Sequence, residues 1–205
     1  MFRVLLGIVL GVLLVPIAGL AWLRFGQIPV AVADPPFPQE GLITHVPLEA
    51  RIDREMVKNP PIQANEANFV AGAHIYSDQC AVCHGYYGKP SAFGRNMFPD
   101  ATPLWEKHEN SQVVGVSDDP PGETYWKVSN GIRLSGMPSF KHALTDNEMW
   151  QVSMLLANAD KPLPPDALYV LRGNPPVPST TSAPATPAAP AAPSAPAGQT
   201  APPPQ

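Results

Sequence analysis

The only two cysteines of the chain constrain its fold more than any other feature. Cys80 and Cys83 stand three positions apart, and His84 follows directly. Two cysteines are too few for the framework of several disulfides that staples small secreted domains. A structural zinc site needs four ligands, usually two such pairs, and a thioredoxin-like redox pair accompanies a strand–helix–strand pattern that the sequence lacks. The run C-x-x-C-H is instead the attachment signature of a c-type haem.

The spacing of this run has a physical reason. Two thiols at the end of a helix, three positions apart, can reach both former vinyl groups of one porphyrin. The imidazole of the next residue then lies beneath the iron. The sequence therefore predicts one covalently attached haem c, bound through Cys80 and Cys83 and with His84 as an iron ligand.

The iron has a second axial position, on the side opposite His84. A protein ligand there indicates an electron carrier, whereas an open position indicates an enzyme. Met137 lies 53 residues after His84, between Gly136 and Pro138, in a loop just before the last helix. A loop of that length can wrap the porphyrin edge and present a thioether. We predict Met137 as the axial ligand, because a His/Met pair occupies both axial positions and raises the potential.

Three other side chains compete for this position. Met97 also lies in a loop but lacks the Gly-Met-Pro setting, so we expect it to pack near the haem edge. His142 follows Met137 by five residues and would give ligation by two histidines. His108 lies in a charged, solvated run.

The N-terminus reads as a membrane segment. Residues 4–23 carry no charge, with Arg3 before them and Arg24 after them, and about 20 apolar residues suffice to span a bilayer. We expect a transmembrane signal-anchor over residues 1–26. The alternative is a secretory signal peptide cleaved after Ala33.

The rest of the chain divides by composition. Residues 27–62 read as a Pro-rich linker with one short helix at 48–58, and residues 63–172 as the folded domain. Residues 173–205 are rich in Pro and Ala, and we expect a disordered tail because such a segment cannot bury enough apolar surface to offset chain entropy.

Three helices are legible in the folded domain, and no alternating strand pattern is. Asn65 can cap a helix with the apolar face Phe69, Ala73, Tyr76 and Cys80. A short helix at 123–130 ends at Gly131. Thr145 opens a capping box, followed by an apolar face of Met149, Val152, Leu156 and Ala159. The domain is therefore predicted to be all-α.

Over residues 66–158 the sequence resembles the class I cytochromes c, particularly the single-haem domains of bacterial terminal oxidases and alcohol dehydrogenases. Gly72 and Tyr76 precede Cys80 with the spacing of that family's first helix, and residues 130–140 resemble its ligand loop. The last helix departs from the pattern, with Val152 and Leu155 where the family carries an apolar-x-x-aromatic pair.

The resemblance implies helices wrapped around one haem, with a porphyrin edge near the surface. It also implies that a proline carbonyl orients His84, and Pro90, Pro99 and Pro103 are the candidates.

The function implied is a single-electron carrier and not an enzyme, with its haem domain on the periplasmic side of a bacterial cytoplasmic membrane, in a respiratory or dehydrogenase-linked chain. Its expected partners are membrane-bound or periplasmic redox proteins. Without Arg3 and Arg24 the chain has 11 basic and 17 acidic residues, a charge of −6, which argues against nucleic-acid binding. No small-molecule substrate is expected. The alternatives are a haem subunit docked permanently in a membrane oxidoreductase or dehydrogenase complex, or a five-coordinate haem enzyme or sensor.

Overall fold

The computed structural model describes residues 1–109 and 111–175, and within them the regular structure is helical with no β-strand. The all-α prediction is confirmed. In chain order the helices are α1 (Phe2–Phe25), α2 (Glu40–Glu55), α3 (Glu66–Gln79), α4 (Ala81–His84), a 3-10 turn (Gly94–Asn96), α5 (Pro121–Asn130), α6 (Asp146–Leu156) and α7 (Pro165–Leu171).

The first helix is the apolar segment that the sequence predicts. α1 has 24 residues, none of them buried, and a mean hydropathy of 2.7 over its most apolar window. Among the described residues, α1 alone is long and apolar enough to cross a membrane. It is a candidate membrane anchor.

Helices α3 and α6 cross at the centre of the domain, where the core is buried. A Cβ on Gly72 would lie 2.5 Å from the carbonyl oxygen of Gln151 and 3.2 Å from the Cβ of Leu155. Only glycine allows the two backbones to approach this closely. Tyr76, Val152 and Leu155 are fully buried beside the crossing, so the two helices pack tightly at Gly72.

The ends of the central helices follow the sequence signals. The Asn65 side chain accepts a hydrogen bond from the Asn68 amide at 2.9 Å, and Thr145 and Glu148 form a reciprocal capping box. α5 ends at Gly131, whose φ is +68°, a conformation that favours glycine. Local chemistry therefore sets these three boundaries.

A further helix, α7, was not anticipated. It is short and opens on Pro165, yet Ala167, Val170 and Leu171 are fully buried, and it packs against α3. The amide of Tyr87 donates to the Leu171 carbonyl at 2.8 Å. The helix is stabilised by the burial of these side chains against the core. A seven-residue segment is too short for its apolar periodicity to predict a helix.

The short helix expected at 48–58 was placed wrongly. α2 runs from Glu40 to Glu55 and contains Pro47, although proline is disfavoured inside a helix. Its last turn is docked: Ile52 is buried, and the Trp126 indole nitrogen of α5 donates to the Glu55 carboxylate at 2.8 Å. The second half of the supposed linker is thus packed against the folded domain.

Apart from its first three residues, the Pro- and Ala-rich tail expected to be disordered lies outside the described residues.

Candidate haem site

The attachment run lies at the junction of α3 and α4. Cys80 closes α3, its amide donating to the Tyr76 carbonyl at 2.9 Å, and Cys83 falls in the single turn of α4. Both thiols are free and half-buried. Burial, and to a lesser extent the neighbouring Cys83, raises the pKa of the Cys80 thiol to about 12. The structure brings the two sulfurs and His84 together on one short segment.

The His84 ring is oriented by a backbone carbonyl. Its Nδ1 lies 2.7 Å from the carbonyl oxygen of Thr102. Burial lowers the pKa of His84, and the Thr102 carbonyl opposes that shift. A neutral ring whose Nδ1–H donates to a carbonyl leaves the Nε2 lone pair free to bind a metal.

The expectation that Pro90, Pro99 or Pro103 supplies this carbonyl was wrong. The acceptor is Thr102, the residue before Pro103. A residue that precedes proline is held in an extended conformation, which fixes the direction of its carbonyl. Pro103 was one of the candidates, but the carbonyl that orients the ring belongs to the residue before it.

A hydrogen-bonded loop follows the attachment run and holds it in place. The Tyr76 hydroxyl donates to the Gly85 carbonyl at 2.6 Å, and the Ser91 hydroxyl donates to the Val82 carbonyl at 2.6 Å. The Gly94 amide in turn donates to the Ser91 hydroxyl at 3.0 Å. Sequence reasoning missed the roles of Ser91 and of the Tyr76 hydroxyl.

The ligand loop, residues 130–140, is closed by its own backbone. The Ile132 amide donates to the Met137 carbonyl at 3.2 Å, and the Phe140 amide donates to the Val128 carbonyl at 3.0 Å. The Ser135 hydroxyl accepts from the Met137 amide at 3.2 Å. Met137 is half-buried and packs against the hydrophobic core.

The competing side chains are distributed differently. His108 and His142 are exposed. Met97 is half-buried and lines an open cleft of about 250 Å³ with Phe93, Phe98 and Gly136. The structure thus brings Met97 against the loop that carries Met137.

The donor set suits a haem. It offers two thiols and an imidazole with a free nitrogen on one short segment. Across the described ranges, no group of three or more His, Cys, Asp or Glu side chains comes together in a way that could hold a bare metal ion. These residues therefore fit a porphyrin better than a zinc ion.

Comparison with known families decides the class of the domain. The family described as "Cytochrome C oxidase, cbb3-type, subunit III" matches residues 67–154, which is less than half of the chain. The chain carries a c-type cytochrome domain. The class expected from the attachment run is thus confirmed.

The chain is also similar to an enzyme. Over 95 residues it is 30% identical to a thiosulfate dehydrogenase from Stutzerimonas stutzeri (strain A1501). The alignment covers 46% of this chain and 28% of that enzyme, so the chain spans well under two thirds of its relative. No solved structure matches significantly. A cytochrome c domain implies a haem cofactor and haem-based electron transfer.

Proposed function

We propose that this protein is a single-electron carrier with one covalent c-type haem, bound by thioethers to Cys80 and Cys83 and ligated axially by His84 and Met137. We further propose that its haem domain lies on the periplasmic side of a bacterial cytoplasmic membrane. Its partners are membrane-bound or periplasmic redox proteins of a respiratory or dehydrogenase-linked chain.

The observation that carries the proposal is the hydrogen bond from His84 Nδ1 to the Thr102 carbonyl, 2.7 Å long. It selects the tautomer with a free Nε2 in the residue that directly follows the second thiol. Such an outer hydrogen bond also raises the basicity of a ligating imidazole.

Met137 is supported by the conformation of its loop. Two hydrogen bonds hold the backbone of Met137, one through its amide and one through its carbonyl, while the side chain is half-buried against the core. A fixed backbone reduces the entropy that the thioether loses when it binds iron. His142, on the same chain segment, is exposed and has no comparable restraint.

Cys80 and Cys83 would hold a haem there through thioether bonds, and His84 and Met137 would bind its iron. The group would supply one-electron redox chemistry between the ferric and ferrous states, with no bond to a substrate.

Charge supports the proposed orientation across the membrane. Arg3 lies beside the amino terminus in the first turn of α1, and Arg24 is the only basic residue among the 20 that follow residue 23. Positive charge near a membrane segment favours the cytoplasmic side. The charge at the start of α1 therefore supports a cytoplasmic N-terminus and a haem domain outside the cytoplasm.

The test is the near-infrared thioether-to-iron band of the oxidised full-length holoprotein. We expect wild type to show it and Met137→Leu to lose it and to bind carbon monoxide rapidly when reduced. Met97→Leu and His142→Ala, as matched controls, should keep the band. A wild-type protein without the band would favour a five-coordinate enzyme or sensor or a histidine ligand.

A second candidate is a haem subunit docked permanently in a membrane complex. The matching family is described as an oxidase subunit, and a tether on α1 would raise the effective concentration of membrane partners. Purification in mild detergent separates the two cases. A free carrier elutes alone, whereas a subunit elutes with stoichiometric partner chains.

A further inference from the structure

We propose that Met97 is a positioning residue, which fixes the distance between the attachment run and the ligand loop and so supports the bond from Met137 to iron. The inference rests on the proposed function, because it takes Met137 as the axial ligand. It assigns Met97 a role other than ligation.

A chain of short contacts leads from the attachment run to Met97. Gly94 packs directly on the Cys83 carbonyl, where a Cβ would overlap the oxygen. The Gly94 carbonyl accepts from the Met97 amide at 3.3 Å and from the Ala101 amide at 3.0 Å. The backbone of Met97 is therefore tied, through one tight turn, to the segment that holds the second thiol.

The side chain of Met97 ends on the ligand loop. A Cβ on Gly136 would overlap the terminal methyl of Met97; among the described residues, chain neighbours aside, only Met97 has atoms within 4 Å of it. The Gly136 backbone lies outside the left-handed region, so its conformation does not require glycine. The Met97 methyl thus lies directly against the residue that precedes Met137.

Methionine suits this role because its unbranched, flexible side chain fills irregular gaps between two segments. Met97 is half-buried and bridges the 3-10 turn and the ligand loop across the cleft. Shortening it would remove the bridge, and a methyl on Gly136 would displace the flexible end of the Met97 side chain from the loop. Either change alters the position of Met137, the next residue.

The experiment is a double-mutant cycle on the full-length holoprotein with Met97→Ala, Gly136→Ala and the pair. The readouts are the near-infrared band and the affinity of the oxidised protein for added imidazole, which competes with Met137. We expect Gly136→Ala to raise imidazole affinity about tenfold, equivalent to about 1.4 kcal/mol, as for residues in direct contact. In the double variant no Met97 side chain remains to be displaced, so affinity should equal that of Met97→Ala and fall below the value expected from additive effects.

Conservative and distant variants complete the design. Met97→Leu keeps most of the bulk and should retain the band with little change in imidazole affinity. Met56→Ala, a half-buried methionine at the end of α2, should leave both readouts unchanged. If Gly136→Ala fails to load haem, the comparison of Met97→Ala with Met97→Leu still measures the effect of the lost bulk.

The inference is overturned if the two substitutions act additively, or if Met97→Ala leaves imidazole affinity unchanged. A wild-type protein without the band would instead refute the proposed function. So would a band that Met97→Leu removes and Met137→Leu keeps, because Met97 would then be the ligand. The two kinds of failure are therefore distinguishable.

Discussion

The docking of α2 on α5 gives a prediction whose size can be worked out from burial. Ile52 is 2% exposed in the last turn of α2. Replacing a buried isoleucine by alanine costs about 2–5 kcal/mol, through lost transfer energy and the remaining cavity. Ile52→Ala should therefore weaken the docking of α2 by at least about 2 kcal/mol.

Trypsin measures this docking directly, because α2 contains Arg51 and Arg54. Where opening is fast relative to cleavage, the cleavage rate follows the population of the open state. A loss of about 2 kcal/mol corresponds to about a 30-fold faster rate. Cleavage after Arg54 is the one to measure, since the substitution adjoins the bond after Arg51.

The matched control is Ile43→Ala, the same change on the same helix at a side chain that is 57% exposed. It should alter the rate no more than about twofold, since exposed substitutions stay within about 0.5 kcal/mol. The reasoning is refuted if Ile52→Ala leaves cleavage after Arg54 unchanged. It is equally refuted if wild type is cleaved there as fast as a denatured chain.

Three further predictions concern helices α3 and α6. Gly72→Val should lower the free energy of unfolding by about 1–3 kcal/mol or more, because the valine side chain would meet the Gln151 carbonyl. An unchanged midpoint in chemical denaturation would contradict the close crossing of the two helices. Thr145→Ala should lower the free energy of unfolding by about 1 kcal/mol by removing the cap, with exposed Asn147→Ala as the control; equal midpoints would count against the cap. Hydrogen bonds from the Thr145 amide and hydroxyl lower the pKa of Glu148 from its ordinary 4.5, so the stability advantage over Glu148→Gln should be complete above pH 4.5 and vanish as pH falls through the folded pKa. A constant difference across that range, in parallel unfolding titrations, would exclude this linkage.

Features set by neighbours in the chain were predictable from sequence. The caps at Asn65 and Thr145, the stop at Gly131 and the spacing of the thiols all depend on contacts within a few residues. Each has a local physical cause that the sequence displays. The helical class and the cytochrome domain followed from them.

Features that depend on distant contacts were not predictable in the same way. The carbonyl that orients His84 comes from Thr102, 18 residues away, and the Trp126 side chain that fixes α2 lies 71 residues from Glu55. α2 continues through Pro47 although local propensity opposes it. Tertiary contacts determine these features, and such contacts cannot be inferred from a single sequence.

The central claim is that one haem is bonded to both thiols of the attachment run. The direct measurement is the intact mass of the full-length protein in denaturing solvent, after expression with a working cytochrome-maturation system. The account predicts a chain that carries one haem mass, located by peptide mapping on the segment from Cys80 to His84. A colourless chain of unmodified mass, with both Cys80 and Cys83 open to alkylation, would contradict it.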